Sequence, residues 1–530
     1  MMKLITPILI FLFAFGVTYS QQAIKVLSMK GYGGDSYDQI NLPAIKTFDG
    51  GFIVVIGSQS DSGTGNIDTF CAKNGERDIS LKYNADGTIL EWTKCYLATG
   101  DSAFGWIFPT HDGGFVLIGS YGFPYGFPVC KENASVSVIW KKDFGRVGGA
   151  NIKNVMSHED GGYIIASLVN NIDTDATTHH GSSFTEDIWV LKIDSNGNKV
   201  WSKVIGGTGD EWIDNIVPGP NGGCYIVGET ESNDYDCTGN HGNVDAYIVR
   251  LDSSGNILWH KDLGGSDADG YHGQGIINGK GGIIFTTGTR SSDGDVHHYA
   301  GNGNSEFWTV DLDSNGNIIW DNCYGDSSDA IPESICKATD GSLWMAGSST
   351  IKSGEVDMSF GKGDAWVVHT DSMGQFIDAK VFGTHQTDGA QIVYPLENGL
   401  VLVGGYYDTA SINGEDLPTI WYGGSDIFLT VLASWPVNVP KLPENSNTIA
   451  IYPNPANTKV SVNYIYGSSC DCKRAIVFYN VLGRELFREE VKTITGTVSF
   501  PTNGLMPGSY IIRMEEDGNA LHMGHVSVVH

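Results

Sequence analysis

The stretch DIWVLKIDSNGN, Asp187 to Asn198, decides how the rest of the chain is read. It opens on a carboxylate, continues through β-branched and aromatic residues suited to a strand, and ends in a turn whose glycine supplies the positive φ of a tight hairpin. The phrase returns as DAYIVRLDSSGN at Asp245, EFWTVDLDSNGN at Glu306 and DAWVVHTDSMGQ at Asp364, with a period of about 60 residues. The full unit is clearest from Asp210 to Gly265: an acidic residue, an apolar strand, Asn-Gly-Gly, a second apolar strand, a long polar loop, the quoted phrase, and a Trp-bearing strand ending in Gly-Gly. Four short strands repeated in this way predict an all-β propeller, in which each sheet buries its faces only against its neighbours.

The turn after the first strand counts the blades. It occurs at Asp49-Gly50-Gly51, Asp112-Gly113-Gly114, Asp160-Gly161-Gly162, Asn221-Gly222-Gly223, Lys280-Gly281-Gly282, Asp340-Gly341 and Asn398-Gly399, so seven blades are expected. The last blade has a third strand at Asp426 to Leu432 but no fourth before the Pro-rich stretch Pro436 to Pro443. Outer strands carry Lys two residues after Trp, as in Trp92/Lys94, Trp140/Lys142, Trp201/Lys203 and Trp259/Lys261, with Trp320/Asn322 an exception. Lys30 occupies that slot near the N-terminus, which predicts that Ile24 to Gly34 pairs with the last blade and removes its open edge. Two departures stand out. Blade 2 compresses its third strand into Val136 to Trp140 behind an aromatic loop, and blade 6 has Asp378 where Trp is expected.

Residues 1–20 read as a secretory signal peptide: Lys3, an apolar run from Ile5 to Val17 too short to span a bilayer, then Thr18 and Ser20. The expected organisation is 1–20 signal peptide, 22–435 propeller, 436–446 linker and 447–530 a small β-sandwich, with no transmembrane segment. Asp and Glu number 61 against 32 Lys and Arg, a net charge of -29 that argues against nucleic acid and anionic membrane surfaces. Nine Cys are scattered without metal-ligand spacing, and Cys71 with Cys95 is the one expected disulfide.

In the C-terminal segment, IYPNPANTKVSV (Ile451 to Val462), YNVLGRELF (Tyr479 to Phe487) and GLMPGSYIIRM (Gly504 to Met514) occur in order. This trio resembles the type A C-terminal sorting domain of the bacterial type IX secretion system. The resemblance implies export to the periplasm, passage across the outer membrane through the type IX machinery as partner, removal of this domain, and a mature protein secreted or held at the cell surface. The repeats are likewise similar to tandem-repeat propellers of secreted and surface proteins in such bacteria, a likeness that speaks to architecture more than activity.

Candidate functional residues lie on the side of the long loops. Counted back from each Gly-Gly turn, one slot holds Asp38, Asp101, Asp210, Asp269 and Asp329, with Asp388 one residue out. These are expected to ring a channel mouth, either capping blade junctions or binding a ligand. Alternating carboxylates Asp173/Asp175, Asp234/Asp236 and Asp293/Asp295 are the candidate Ca²⁺ ligands, against solvated Asx turns. Tyr121 and Tyr125 in blade 2, with Trp421 and Tyr422 in blade 7, offer rings for stacking on a glycan. No serine-nucleophile elbow, phosphate loop or zinc-protease motif is present. The expected function is a surface binding or adhesion module for a glycan or protein; the alternative is a surface glycan-active enzyme using carboxylates at the channel mouth.

Overall fold

The computed structural model describes most of residues 24–433 and 448–528; outside the description lie 1–23, 60–65, 67–76, 98–102, 121–125, 146–150, 326–328, 351–359, 409–416, 418–420, 434–447, 453–458, 467–471 and scattered loop positions. The chain divides into two compact units, Met1–Pro436 and Val437–His530. The described residues are all-β, with no α-helix among them.

The first unit is built of antiparallel sheets with four principal strands each. Sheet 1 contains Asp38–Ile40, Phe52–Ser58, Arg77–Tyr83 and Leu90–Leu97, with the short Ile45–Lys46 alongside. Sheet 2 contains Ala103–Pro109, Phe115–Ser120, Phe127–Glu132 and Val138–Phe144, and sheet 3 Asn151–Ser157, Tyr163–Val169, Asp187–Ile193 and Lys199–Ile205. Sheet 4 contains Glu211–Pro218, Cys224–Thr230, Asp245–Leu251 and Ile257–Leu263, and sheet 5 Asp269–Ile277, Ile283–Thr289, Glu306–Leu312 and Ile318–Tyr324. Sheet 6 contains Ala330–Lys337, Leu343–Ser349, Asp364–Thr370 and Phe376–Phe382. Sheet 7 takes Asp388–Pro395, Leu400–Tyr407 and Asp426–Ala433 from late in the chain, and its fourth strand is Lys25–Tyr32.

That N-terminal strand lies in the expected register. Lys30 faces Leu429, the fourth residue of its third strand, as Lys94 faces Ser80, Lys203 faces Val190 and Lys261 faces Ile248. The expectation for blade 2 is corrected. Its third strand is Phe127–Glu132, and Trp140 belongs to the fourth, where Lys141 faces Cys130. Phe127, counted in the sequence as part of an aromatic loop, is wholly buried against Phe144 and Trp189.

Hydrophobic cores lie between consecutive sheets, because a strand whose residues are apolar on both faces must be covered twice. Ile164 and Ile188 meet Ile213 and Tyr247 between sheets 3 and 4. Tyr225 meets Phe285 and Trp308 between sheets 4 and 5, and Phe307 meets Met345 and Trp366 between 5 and 6. Trp344 meets Val403 and Phe428 between 6 and 7, while Phe52 and Ile56 meet Ile392 and Leu402 between 7 and 1.

The repeated turn ties these layers together. Asp194 Oδ1 accepts the N–H groups of Asn196 (2.9 Å) and Asn198 (2.8 Å), and Asp252 and Asp313 repeat the bonds at their own turns. The turn glycine has φ of 81° at Gly255, and a Cβ there would come within 2.8 Å of the Trp201 ring of the preceding sheet. Trp201 Nε1 donates to Ser253 O at 2.9 Å, so the Trp of one repeat and the Gly of the next form one contact. At Asp378, where Trp is missing, the carboxylate is buried and meets His369 Nδ1 at 2.8 Å, with His369 stacked on Trp344.

In the second unit, Thr448–Tyr452, Lys459–Ile465 and Thr495–Pro501 form one sheet. Arg474–Asn480, Glu485–Val491, Gly508–Glu516 and Asn519–Val528 form another. Val460, Val462, Ile476, Phe478 and Ile512 make a core common to both. Cys95 in the first unit and Cys472 in the second are each in a disulfide of their own, and Cys71, the expected partner of Cys95, falls outside the described residues.

Candidate functional site

The slot at the head of the first strand proves to be two adjacent positions. Asp38, Asp269 and Asp388 are the first residues of their strands, and Glu211, not Asp210, is their counterpart in sheet 4. Each accepts the backbone N–H four residues earlier: Gly34 to Asp38 (2.8 Å), Gly207 to Glu211 (2.7 Å), Gly265 to Asp269 (2.7 Å) and Thr384 to Asp388 (2.5 Å). Asp210 and Asp329 sit one residue earlier and reach back to the preceding sheet, accepting the N–H of Glu186 (2.8 Å) and of Ser305 (2.9 Å). Asp38, Asp269 and Asp388 have 0% exposure, so their carboxylates lie inside the junctions. A carboxylate whose lone pairs bind backbone N–H groups inside a junction fixes chain geometry. Asp101, Tyr121 and Tyr125 lie outside the described residues. Trp421 is 41% exposed with its Nε1 on Gly424 O (3.1 Å), and Tyr422 is half-buried.

Candidate Ca²⁺ carboxylates of the long loops have partners of their own. Asp175 Oδ1 meets Lys199 Nζ at 2.9 Å. Asp234 accepts from Thr208 N (2.8 Å) and Thr208 Oγ1 (2.9 Å), Asp236 faces Lys203 at 4.0 Å, and Asp293 accepts from Ser266 N at 2.7 Å. The backbone N–H of Asp295 donates to Gly264 O, and Asp173 falls outside the described residues. These carboxylates pin their loops to separate partners instead of converging, and no group of three potential ligands comes together among the described residues. The loop histidines are also structural: His180 and His241 cap Asp187 and Asp245 through both backbone N–H and Nδ1.

A different set of polar residues is brought together. In sheets 3 to 7 the first strand carries a β-bulge at the same place, and the residue left out of register is Lys153, Asp214, His272 with Gly273, Glu333 and Gln391 in turn. A bulge unpairs one residue and re-aims its side chain, and bulges concentrate beside functional sites. The strands that bear them adjoin one another. Asp214 Oδ2 accepts Gly273 N (2.7 Å), Asn215 Nδ2 donates to Gln274 Oε1 (2.9 Å), and Gln391 Oε1 accepts Ile40 N (3.2 Å). His272 Nδ1 lies 3.5 Å from Glu333 Oε1, with both side chains open to solvent.

Two cavities occupy the space between these first strands. One of about 420 Å³ is lined by Lys153, Trp212, Asp214, Glu229, Glu231 and Tyr271. The other, about 400 Å³, is lined by residues of sheets 1 to 5, including Ile45, Trp106, Phe108, Val155, Ile216 and Ile276. The polar cavity has unusual acid chemistry. Burial pushes Asp214 up to about 6. Burial, reinforced by the nearby Asp214 charge, pushes Glu229 up to about 8, while the bond to Glu333 raises His272 to about 9. Near neutral pH the two neighbouring carboxyls, both raised by burial, therefore retain a proton between them beside a charged imidazolium. The sequence carried a faint signal of this set: a polar residue of changing type at one offset in each apolar first strand.

Residues 450–524 match the secretion system C-terminal sorting domain, in agreement with the motifs read there. That domain directs a protein for secretion to the cell surface or outer membrane, and no helix among the described residues is long and apolar enough to cross a membrane. No curated protein matches the chain. Among solved structures, the extracellular domain of a one component system of B. thetaiotaomicron is 12% identical, with a TM-score of 0.32 over 92% of this chain and 62% of that one. The chain thus spans less than two thirds of that domain. A DUF4221 family member from Bacteroides vulgatus is 10% identical with a TM-score of 0.32, covering 62% of this chain and 92% of its own. A mutant of Synechocystis apocarotenoid oxygenase is 10% identical with a TM-score of 0.34, covering 96% of each chain. Likenesses at these scores carry no argument about activity.

Proposed function

We propose that the first unit is a seven-bladed propeller, closed by Lys25–Tyr32, that serves as a secreted or surface-held binding and adhesion module for a glycan or protein ligand. Support for the ring comes from the N-terminal strand in sheet 7 and from hydrophobic cores that link each sheet to the next and the last to the first. In this reading the first strands surround the axis, and the bulged residues form the mouth of the axial cavity. The single observation that carries the function is that set of bulges: five sheets each leave a polar residue of a different type out of register at one position of the first strand, and two of them, Lys153 and Asp214, line the polar cavity. Architecture alone repeats residues, whereas recognition of an asymmetric ligand requires them to differ. The proposed order of the chain is signal peptide 1–20, propeller 22–435, linker 436–446 and a sorting domain 447–530 that is cut away after export.

A second reading has one specific observation in its favour. Glu229 and Asp214 are neighbouring carboxyls, both raised by burial, that keep a proton between them near neutral pH, as the acid and base of a glycan-active enzyme must. Glycan-array screening of the exported protein, paired with a reducing-end assay on each polysaccharide bound, separates the two. Binding without turnover is the expected result, and release of reducing ends that Glu229→Gln abolishes would replace the module with an enzyme.

A further inference from the structure

A second set of carboxylates is repeated at the sheet junctions and is sealed from solvent. Asp187, Asp245 and Asp426 open the third strands of sheets 3, 4 and 7, and all have 0% exposure. Each ties Oδ2 to a backbone N–H of its own loop: His180 (2.8 Å), His241 (2.7 Å) and Tyr422 (2.7 Å). The other oxygen, Oδ1, is buried with no hydrogen-bond partner in all three.

Those orphan oxygens face the capping carboxylate of the next sheet. A Cβ built on Gly206 would lie 2.5 Å from both Asp187 Oδ1 and Glu211 Oε2, and one on Gly264 would lie 2.7 Å from both Asp245 Oδ1 and Asp269 Oδ2. Gly33 holds the same place beside Asp426, where any side chain would overlap Asp426 Oδ1, and Asp38 follows in the next sheet. Only glycine leaves this space. No Lys or Arg side chain pairs with Asp187, Glu211, Asp245, Asp269 or Asp426 among the described residues. An imidazole meets Asp187 (His180, 3.1 Å) and Asp245 (His241, 2.8 Å), one cation at most for each pair of carboxylates, and buried charge left uncompensated costs several kcal/mol per ion even after relaxation.

We infer that these three junctions are cation sites, each taking one calcium ion between the third-strand carboxylate of one sheet and the first-strand carboxylate of the next. The donors are all hard oxygens, as calcium prefers, and the absence of a side chain on each glycine leaves the space beside them open. Magnesium keeps several waters and fits a dry junction poorly. The inference stands apart from the axial ligand, since none of these residues lines that cavity.

Calcium retained per chain is measured on the full-length protein after dialysis, together with melting in chelator, calcium or magnesium at equal ionic strength. At least three calcium ions per chain are expected, with a melting temperature that rises with the logarithm of free calcium and exceeds that in magnesium. Asp245→Asn lowers the count by one, whereas Asp234→Asn in the adjoining loop leaves it unchanged. Should Asp245→Asn fail to fold, the count and melts of the unaltered chain decide alone. Superimposable melts with no retained calcium would overturn the assignment and leave a shared proton as the neutralising species.

Discussion

Asp426 and Asp388 connect burial to pH most directly. Burial, with Asp38 adding its charge, pushes Asp426 up to about 7, and burial with Asp364 pushes Asp388 up to about 6. An acid whose folded pKa is raised binds its proton more tightly in the folded state, so its full contribution to stability is present below the unfolded value near 3.8 and is lost as pH rises through the folded one. In chelator, the melting temperature should therefore climb as pH falls from about 7 to about 4. Asp112 and Asp160 act in the opposite sense but in a lower window, because both are held near 2 and weaken the fold only as pH falls below their unfolded values. A melting temperature that is flat or falling on acidification from 7 to 5 would show that these junction carboxyls are not protonated in the fold. The sequence marked Asp38, Asp269 and Asp388 as special but not why. Carboxylates that cap junctions and carboxylates that meet ligands look alike until burial separates them. Counting from the turn also merged Asp210 with Asp269, because the first strands differ in length by a residue: Glu211–Pro218 against Asp269–Ile277.

At the scale of elements, the repeat made strands legible where residue type and turn chemistry agreed. Asp187–Ile193, Asp245–Leu251, Glu306–Leu312 and Asp364–Thr370 all fall where their phrases begin. Sheet 2 was misread because Pro124 and Pro128 signal a loop, whereas Pro128 lies within the third strand. The correct signal was Trp140 with Lys142, which places an outer strand and leaves room for another before it. Bulges escaped for a different reason: one skipped residue leaves the apolar pattern on either side intact, and only the pairing reveals the shift. The element of greatest consequence is Lys25–Tyr32, whose removal would expose the backbone edge of Asp426–Ala433. Deleting residues 24–34 should give protein that aggregates or is cleared by protease, read by size-exclusion chromatography and limited proteolysis. A deletion variant that stays monomeric and melts like the parent would mean that this strand does not close the fold.

The whole molecule combines an address with an instrument. The sorting domain at 450–524 directs the chain to the cell surface or outer membrane, and the full sequence carries a net charge of -29, which turns it from anionic surfaces. What the sequence left open was where the instrument acts. It pointed to the long-loop side and to Trp421, whereas the structure leaves Lys153, Asp214, His272, Glu333 and Gln391 out of register at one bulge position in five successive sheets. Because each sheet contributes one residue of a different chemistry, the sequence signalled the set only faintly, as a polar residue at one offset in each apolar first strand. The decisive measurement is the affinity of the exported protein for the glycan or protein found in the binding screen, compared among His272→Ala, Glu333→Gln and Trp421→Ala. The axial site predicts a loss of about tenfold or more, or about 1.4 kcal/mol, in each of the first two and parental affinity in the third. Parental affinity in both axial variants, with binding lost in Trp421→Ala, would contradict it and place recognition on the long loops.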